Sequence, residues 1–157
     1  MSANPSRYRG SHTYLVEEGE WRGWAPAAGD PFNDLAGPFY HRATAGGMPV
    51  CAMRVKDKHI NGGGTLHGGA IMAFADYCLY VFAASLGDQA AVTVSLHGDY
   101  MGAVFEGQLL ECTGEVVRKT RSMTFLRGLM TTAEGTVFSF SGVLKVKASK
   151  VLSAPGL

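Results

Sequence analysis

One apolar segment limits the folds that this chain can adopt. Residues 70–84 are Ala, Ile, Met, Phe, Tyr, Cys, Leu and Val throughout, apart from a single acid, Asp76. The segment is too long for a strand and Gly87 is suited to cap a helix, so we predict a helix over residues 66–86. A helix that is apolar on every side is buried on most of its circumference. The rest of the chain must therefore provide a surface that encloses it.

The segments on either side of this helix have the pattern of strands. From residue 91 the hydrophobic period changes to two, with Val92, Val94 and Leu96 alternating with polar residues. The later segments are separated by short turns, which favours antiparallel pairing. We predict an α+β fold in which one helix packs on a curved antiparallel sheet of five to six strands. The predicted strands are residues 39–44, 49–56, 91–101, 108–118, 122–132 and 137–147.

The 157 residues suit one domain with a terminal segment at each end. Residues 1–36 are rich in Gly, Pro, Trp and charged residues, and we predict a surface arm with a short helix near residues 31–35. Residues 37–150 form the domain, and residues 151–157 form a tail. The N-terminal residues contain no apolar run typical of signal peptides. Because the apolar helix is short and carries Asp76, we expect no membrane span. The missing signal-peptide pattern and the unpaired cysteines lead us to expect a cytoplasmic protein.

Composition argues against several classes of partner. The 14 basic and 13 acidic residues give a net charge of +1 without a long basic run, so we expect no nucleic-acid binding. Cys51, Cys78 and Cys112 have no paired spacing and are predicted to be reduced thiols in the core. Neither Cys nor His residues have the spacing of metal ligands, so we expect no metal and no cofactor.

The glycine-rich segment before the helix is the main candidate for a functional site. It contains neither a Walker loop nor the G-x-G-x-x-G fingerprint of nucleotide binding. Free N–H groups in the first turn of a helix form an oxyanion hole, and Gly68 is the natural donor, with His67 at the cap. Asp76 follows eight residues later and is suited to act as a general base or nucleophile.

Each of these residues has a simpler interpretation when taken alone. Asp76 is equally consistent with a structural hydrogen bond across a subunit interface. A histidine such as His67 is, when taken alone, more often a hydrogen-bonded core residue or a helix cap than a catalyst, and Asn61-Gly62 alone is typical of a tight turn.

One combination of residues resembles hotdog-fold acyl-CoA thioesterases: Asn61, His67-Gly68-Gly69 and Asp76. These residues lie at the start of a long apolar helix that is followed by antiparallel strands. The closest branch is the phenylacetate-degradation type, in which an Asn precedes His-Gly-Gly by six residues and an Asp follows the His by nine. The resemblance extends over about residues 39–147. It implies a hotdog fold, thioester hydrolysis, and a homodimer that pairs further into a homotetramer.

The resemblance also implies roles for individual residues. The Gly68 N–H would polarise the thioester carbonyl, and Asp76 of the opposite subunit would activate water or attack directly. His67 would orient the thioester or assist the leaving thiolate, and Asn61 would position the loop or the water. A hydroxyl residue at the start of the next strand often holds that water. Thr93 is the best match for it, and Ser95 is the reserve.

The implied substrate is an acyl-CoA with an aryl or a short- to medium-chain acyl group. The CoA phosphates need cations to bind them. Arg118, Lys119 and Arg121 form the densest basic group, on a predicted hairpin turn. The alternative interpretation is a turn that contacts only water. Arg54, Lys56 and Lys58 are an alternative group. The expected substrate-binding residues are Gly69, Met72, Tyr80, Ser95, Arg118, Lys119 and Arg121.

Two other functions are compatible with the same fold, because a fold does not determine an activity. One is non-catalytic binding of an acyl-CoA or an acyl-carrier protein. The other is hydration or dehydration of an enoyl-CoA, in which an acid–base pair acts on the β-carbon.

Overall fold

The apolar segment forms one long helix held against a single antiparallel sheet. A computed structural model describes residues 14–45, 47–87 and 91–146. The α-helices are α1 (Pro31–Ala36) and α2 (Gly68–Ala84), and a 3-10 helix over Asp57–His59 precedes α2. The strands are β1 (Ala25–Pro26), β2 (Tyr40–Thr44), β3 (Gly47–Arg54), β4 (Ala91–Tyr100), β5 (Leu109–Lys119), β6 (Met123–Thr132) and β7 (Gly135–Val146).

The strand order across the sheet is β1-β2-β3-β5-β6-β7-β4, and all neighbours are antiparallel. After β3 the chain enters α2, crosses the sheet, and returns at the far edge as β4. The predicted α+β fold with one central helix is confirmed. The sheet has seven strands instead of five to six because the N-terminal arm contributes β1.

Helix α2 contacts each of the strands β3 to β7, and nine of its residues are buried. Close approach depends on glycines in the sheet. A side chain at Gly114 would place its Cβ 2.3 Å from a ring carbon of Phe82, and one at Gly142 would meet Leu79 at 2.2 Å. The sheet therefore lacks side chains where α2 fills the space, as the close packing of protein interiors requires.

The three cysteines are free and buried in this core, as predicted. Cys51 on β3 lies directly opposite Cys112 on β5, and Cys78 lies on the buried side of α2. Burial raises the pKa of the Cys51 and Cys78 thiols, which keeps them protonated and unreactive at neutral pH.

The N-terminal arm covers the β2 edge of the sheet. Strand β1 pairs with β2, and the Trp21 ring stacks on Tyr40 with centroids 4.0 Å apart. The Arg42 guanidinium lies 4.5 Å from the ring centroid of Trp24, within the range of a cation–π contact. Strand β4 forms the opposite edge, and β7 is its only neighbour among the described residues.

Both helix predictions are close to the structure. Helix α1 begins at Pro31, and the Asp30 carboxylate accepts hydrogen bonds from the N–H groups of Phe32 and Asn33. Helix α2 ends two residues earlier than predicted, with Ser85 as its C-cap, and Gly87 takes a positive φ of 89° just beyond it.

The predicted tail, residues 151–157, lies outside the described part of the chain. No helix in the described segments has the length and hydrophobicity needed to span a membrane.

Candidate functional site

Asp76 lies on an exposed stripe of α2. Its helical neighbours Met72 and Ala73 are half-buried, and Tyr80 is 42% exposed. Asp76 is therefore not buried by residues of its own chain. The reason is geometric, because the sheet encloses α2 from one side only and leaves the opposite side open.

The carboxylate of Asp76 is held by the edge strand. Thr93 on β4 donates a hydrogen bond from Oγ1 to Asp76 Oδ1 at 2.6 Å. A β-bulge between Thr93 and Ser95 changes the direction of the strand at this point. Ser95 lies opposite Val143 and lines a cavity to which α2 contributes no residue. The structure thus brings Thr93, and not Ser95, to Asp76.

The His67 ring caps the N-terminus of α2. Its Nδ1 accepts a hydrogen bond from the Gly69 N–H at 2.9 Å. A side chain on Gly69 would place its Cβ 3.0 Å from Nδ1, so the second glycine makes room for the folded-back ring. Because Nδ1 is the acceptor, the proton of the neutral imidazole is on Nε2. The exposed ring can therefore offer Nε2–H to a ligand.

Gly68 is the first residue of α2, and its N–H has no hydrogen-bond acceptor within the described segments. Its carbonyl oxygen, in contrast, accepts a hydrogen bond of 2.9 Å from the hydroxyl of Tyr100. Sequence reasoning did not identify Tyr100, because an aromatic residue at the end of a strand gives no sign of a polar contact with a distant backbone. The free Gly68 N–H has the properties of an oxyanion donor.

Asn61 organises the loop that precedes His67. Its Oδ1 accepts hydrogen bonds from the N–H groups of Gly63 at 2.8 Å and Thr65 at 3.3 Å. Its Nδ2 donates to Thr65 Oγ1 at 3.0 Å. In this geometry the polar atoms of the side chain are used within the loop, which gives Asn61 a positioning role.

The backbone of His59 anchors the end of this loop at His67. The His59 carbonyl accepts a hydrogen bond of 2.8 Å from the His67 N–H. The buried His59 ring accepts from the Lys56 N–H at Nδ1 (3.0 Å) and contacts the Gly37 carbonyl through Nε2 (3.2 Å). Burial lowers the pKa of His59, and the positive charge of the nearby Lys58 lowers this pKa further. His59, in the neutral form that a lowered pKa favours, thus links Gly37, just after α1, to the start of α2.

The predicted phosphate-binding group lies at the other end of α2. Lys119 donates a hydrogen bond of 3.0 Å to the carbonyl of Leu86, just beyond the helix C-terminus, and Arg118 and Arg121 are exposed nearby in the chain. Within one chain this group is separated from Gly68 by the length of the helix.

The alternative basic group is partly engaged in other contacts. Arg54 forms an ion pair with Glu20 and donates to the Gly107 carbonyl. Lys58 donates to the carbonyl of Leu35 at 2.7 Å.

Gly68 and Asp76 cannot act on the same carbonyl within one chain. They are separated by eight residues of helix, which corresponds to roughly 12 Å along the axis at 1.5 Å per residue. An oxyanion donor and a base or nucleophile must both lie about 3 Å from the reacting group. Gly68 and Asp76 of one chain are therefore too far apart to act together on one reacting group.

One family model matches about half of this chain. Residues 63–139 match the family model described as "Thioesterase superfamily". The matched segment includes the start of α2, Asp76 and Thr93. It therefore covers most of the residues that form the candidate site.

Two other proteins have sequences similar to this chain. A protein of Pseudomonas aeruginosa named "Putative esterase PA0474" is 39% identical over 115 residues, which cover 72% of this chain and 86% of that protein. A protein of Caenorhabditis elegans named "Putative esterase F42H10.6" is 33% identical over 98 residues, covering 60% of this chain and 56% of that protein.

Solved structures share the fold. The phenylacetic acid degradation protein PaaI of Thermus thermophilus, solved as a mutant, is 28% identical, with a TM-score of 0.66 and coverage of 75% of this chain and 100% of that one. A hypothetical thioesterase of Streptococcus pneumoniae, solved with coenzyme A, is 23% identical, with a TM-score of 0.65 and coverage of 70% and 86%. At this lower identity the likeness supports the fold alone.

Proposed function

Because this chain belongs to the thioesterase superfamily as a hotdog thioester hydrolase of the PaaI type, we propose that it hydrolyses acyl-CoA thioesters. The acyl groups proposed are aryl or short- to medium-chain. The observation that carries the mechanism is the exposed Asp76 carboxylate held by Thr93 at 2.6 Å on an otherwise apolar helix. An acid fixed by a neighbouring hydroxyl and open to a ligand is placed for chemistry rather than for packing.

In the proposed reaction the thioester carbonyl oxygen accepts a hydrogen bond from the free Gly68 N–H. Asp76 takes a proton from a water molecule, whose oxygen attacks the carbonyl carbon. The tetrahedral oxyanion is stabilised by the Gly68 N–H and the positive end of the α2 dipole. The C–S bond then breaks, the thiolate of coenzyme A takes up the proton that Asp76 accepted from water, and the free acid leaves, which returns Asp76 to its carboxylate form.

Direct attack by Asp76 is the other route consistent with this geometry. The carboxylate would displace the thiolate to give a mixed anhydride, which water then hydrolyses. A single turnover in ¹⁸O-labelled water tests for the anhydride. Label recovered in the peptide that contains Asp76 supports the anhydride, because only water attack on the Asp76 carbonyl carbon places it there, whereas label confined to the acid product arises from the general base or from water attack on the acyl carbon of an anhydride.

A second copy of the chain is part of the proposal, because one chain does not bring Gly68 and Asp76 together. Strand β4 is an open sheet edge ten residues long. Val92 and Val94 on it are 43% and 55% exposed. A long edge with exposed apolar residues is suited to pairing with another strand. We propose that β4 pairs with β4 of a second copy, and that such dimers pair further into tetramers.

The remaining residues have supporting roles in this proposal. His67 presents Nε2–H to the thioester or to the departing thiolate, and Asn61 holds the loop in place. Thr93 orients Asp76 and the attacking water. Gly69, Met72 and Tyr80 line the acyl group on the open side of α2.

The phosphates of coenzyme A need cations, and exposed arginines are well suited to bind them. We propose Arg118, Lys119 and Arg121 for this contact. These residues lie beside the C-terminal end of α2, far from Gly68 of the same chain. They would therefore bind the phosphates of a coenzyme A whose thioester lies at Gly68 of the other subunit. The S. pneumoniae thioesterase that shares the fold was solved with coenzyme A, which makes coenzyme A the first carrier to test.

The test is thiol release from a panel of aryl-, short- and medium-chain acyl-CoAs. We expect Asp76→Asn and Asp76→Ala to lower kcat about 100-fold or more, as loss of a general base typically does. Asp34→Asn is the matched control, because Asp34 is an exposed acid on α1 and has no part in the proposed site or in the β4 edge. Wild-type rates in both Asp76 variants would rule out the proposed mechanism.

A further inference from the structure

Tyr100 connects the end of β4 to the start of α2. Its hydroxyl donates to the Gly68 carbonyl at 2.9 Å, across 32 residues of sequence. The ring lies against the backbone of Gly68, where an added Cβ would lie 3.2 Å from the tyrosine oxygen and 3.4 Å from two ring carbons. The first glycine of His67-Gly68-Gly69 thus makes room for Tyr100, just as the second makes room for His67.

The hydrogen bond from Tyr100 continues through one peptide group to His67. The carbonyl of Gly68 and the N–H of Gly69 belong to the same amide. The Tyr100 hydroxyl donates to the oxygen of this amide, and the amide N–H, which is that of Gly69, donates to His67 Nδ1 at 2.9 Å. A hydrogen bond accepted at the oxygen polarises the amide and strengthens the bond donated by its nitrogen.

We infer that Tyr100 is a positioning residue that acts on His67 through the Gly68–Gly69 peptide. The relay keeps Nδ1 of His67 as the acceptor, so that the proton stays on Nε2 and faces the reacting group. This inference rests on the proposed function for its effect on turnover, whereas the tautomer of His67 is independent of any substrate.

Tyr100 is itself held firmly at the end of the strand. It lies directly opposite Phe138 on β7, and the two ring centroids are 4.8 Å apart. The N–H of the next residue, Met101, donates to the Val137 carbonyl at 2.8 Å. Although 53% of Tyr100 is exposed, its direction is fixed by these contacts. The hydroxyl can therefore act as a fixed donor.

The same strand thus controls both halves of the site. Thr93 near the start of β4 orients the Asp76 carboxylate, and Tyr100 at its end orients His67 through the helix start. The two contacts lie on the open edge that is proposed to pair with a second copy. Pairing would restrain the strand and with it both groups.

The test compares Tyr100→Phe with wild type. This variant keeps the ring against Gly68 and removes only the hydroxyl, so we expect the melting temperature to change little. Tyr14→Phe is the matched control, because Tyr14 is an exposed tyrosine of the N-terminal arm.

The first measurement is the two-bond ¹H–¹⁵N correlation spectrum of the imidazoles, with the signals of His67 assigned by their loss in His67→Gln. We expect a single Nε2–H tautomer in wild type and in Tyr14→Phe, and a mixture of tautomers in Tyr100→Phe. An unchanged tautomer in Tyr100→Phe would overturn the inference, whether or not the protein hydrolyses any acyl-CoA.

The second measurement is steady-state hydrolysis of the best acyl-CoA. We expect kcat of Tyr100→Phe to fall about 3- to 10-fold, the effect of losing one neutral hydrogen bond, with KM within about twofold. An unchanged kcat in a variant whose tautomer has shifted would also overturn the role of Tyr100. If wild type hydrolyses none of the panel, the proposed function fails, and the spectrum alone decides the inference.

Discussion

The hydroxyl of Thr93 on the edge strand donates a hydrogen bond of 2.6 Å to the carboxylate of Asp76 on the central helix. This bond fixes the direction of the acid on the open stripe of α2. It joins the helix to the strand that lies at the open edge of the sheet. The orientation of the candidate catalytic acid therefore depends on the strand that is proposed to contact a second copy.

Replacing Thr93 tests this dependence. Thr93→Val keeps the shape of the side chain and removes the donor, and we expect kcat/KM to fall about 10- to 100-fold, as for a hydrogen bond to a charged group. Thr93→Ser retains the donor and should retain most of the activity. Thr113→Val, at an exposed threonine on β5, is the matched control. Equal activity in Thr93→Val and Thr113→Val would remove Thr93 from the mechanism.

The oxyanion donor can be removed without disturbing the helix. Proline is tolerated at the first position of a helix, where its missing N–H has no partner in the helix. His67 has φ −62° and ψ 132°, which is the extended conformation that a residue before proline prefers. We expect Gly68→Pro to lower kcat about 100- to 1,000-fold, with the melting temperature within a few degrees of wild type.

Gly68→Ala is the control for this change, because it adds a side chain and keeps the N–H. Its Cβ would lie 3.2 Å from the Tyr100 hydroxyl, which a small movement of the ring can relieve. Gly68→Ala should therefore retain far more activity than Gly68→Pro. Similar losses in both variants would show that the space at Gly68, and not its N–H, is what matters.

Burial of His59 leads us to expect that the stability of the fold depends on pH. Burial lowers the pKa of His59 from its ordinary value of 6.5. A histidine with a lowered pKa favours the neutral form in the folded protein, so its contribution is present above pH 6.5 and is lost as the pH falls toward the folded pKa. We expect the free energy of unfolding, measured in urea, to decrease from pH 7 to pH 5.5.

His59→Gln should be less stable at pH 7 and should show a flatter pH dependence. Some dependence should remain, because burial also lowers the pKa of His41, which hydrogen-bonds to the Tyr77 hydroxyl at 2.7 Å. A pH dependence as steep as that of wild type in His59→Gln would contradict this account of His59.

Much of the fold could be predicted from the sequence because its signals are local. Strands β4 to β7 follow a period of two, and their observed bounds lie within one or two residues of the predicted ones. The proline and acid at the start of α1 also define that helix locally. Strand β1 was missed, because the two residues Ala25–Pro26 have no periodicity and pair with β2 only through the tertiary fold.

His67 as the cap before the helix start was predictable from residue type and spacing. Thr93 was expected from the family resemblance, and the structure shows its contact with Asp76. The exposed stripe of α2 was not predictable, because an apolar helix does not indicate which side the sheet leaves open. Tyr100 was missed for a related reason. Its partner is a backbone carbonyl 32 residues away, and the contact exists only after the strand crosses the helix start.

The central claim is that Gly68 of one chain and Asp76 of another form one active site, and complementation between inactive variants tests it most directly. Asp76→Asn and Gly68→Pro are unfolded together in urea, refolded as an equimolar mixture and assayed. In a mixed dimer one site carries both changes and the other carries neither. Random pairing then predicts roughly a quarter of wild-type activity from two nearly inactive parents. Activity that stays at the level of the parents, in a mixture shown by mass spectrometry to contain mixed dimers, would contradict the account.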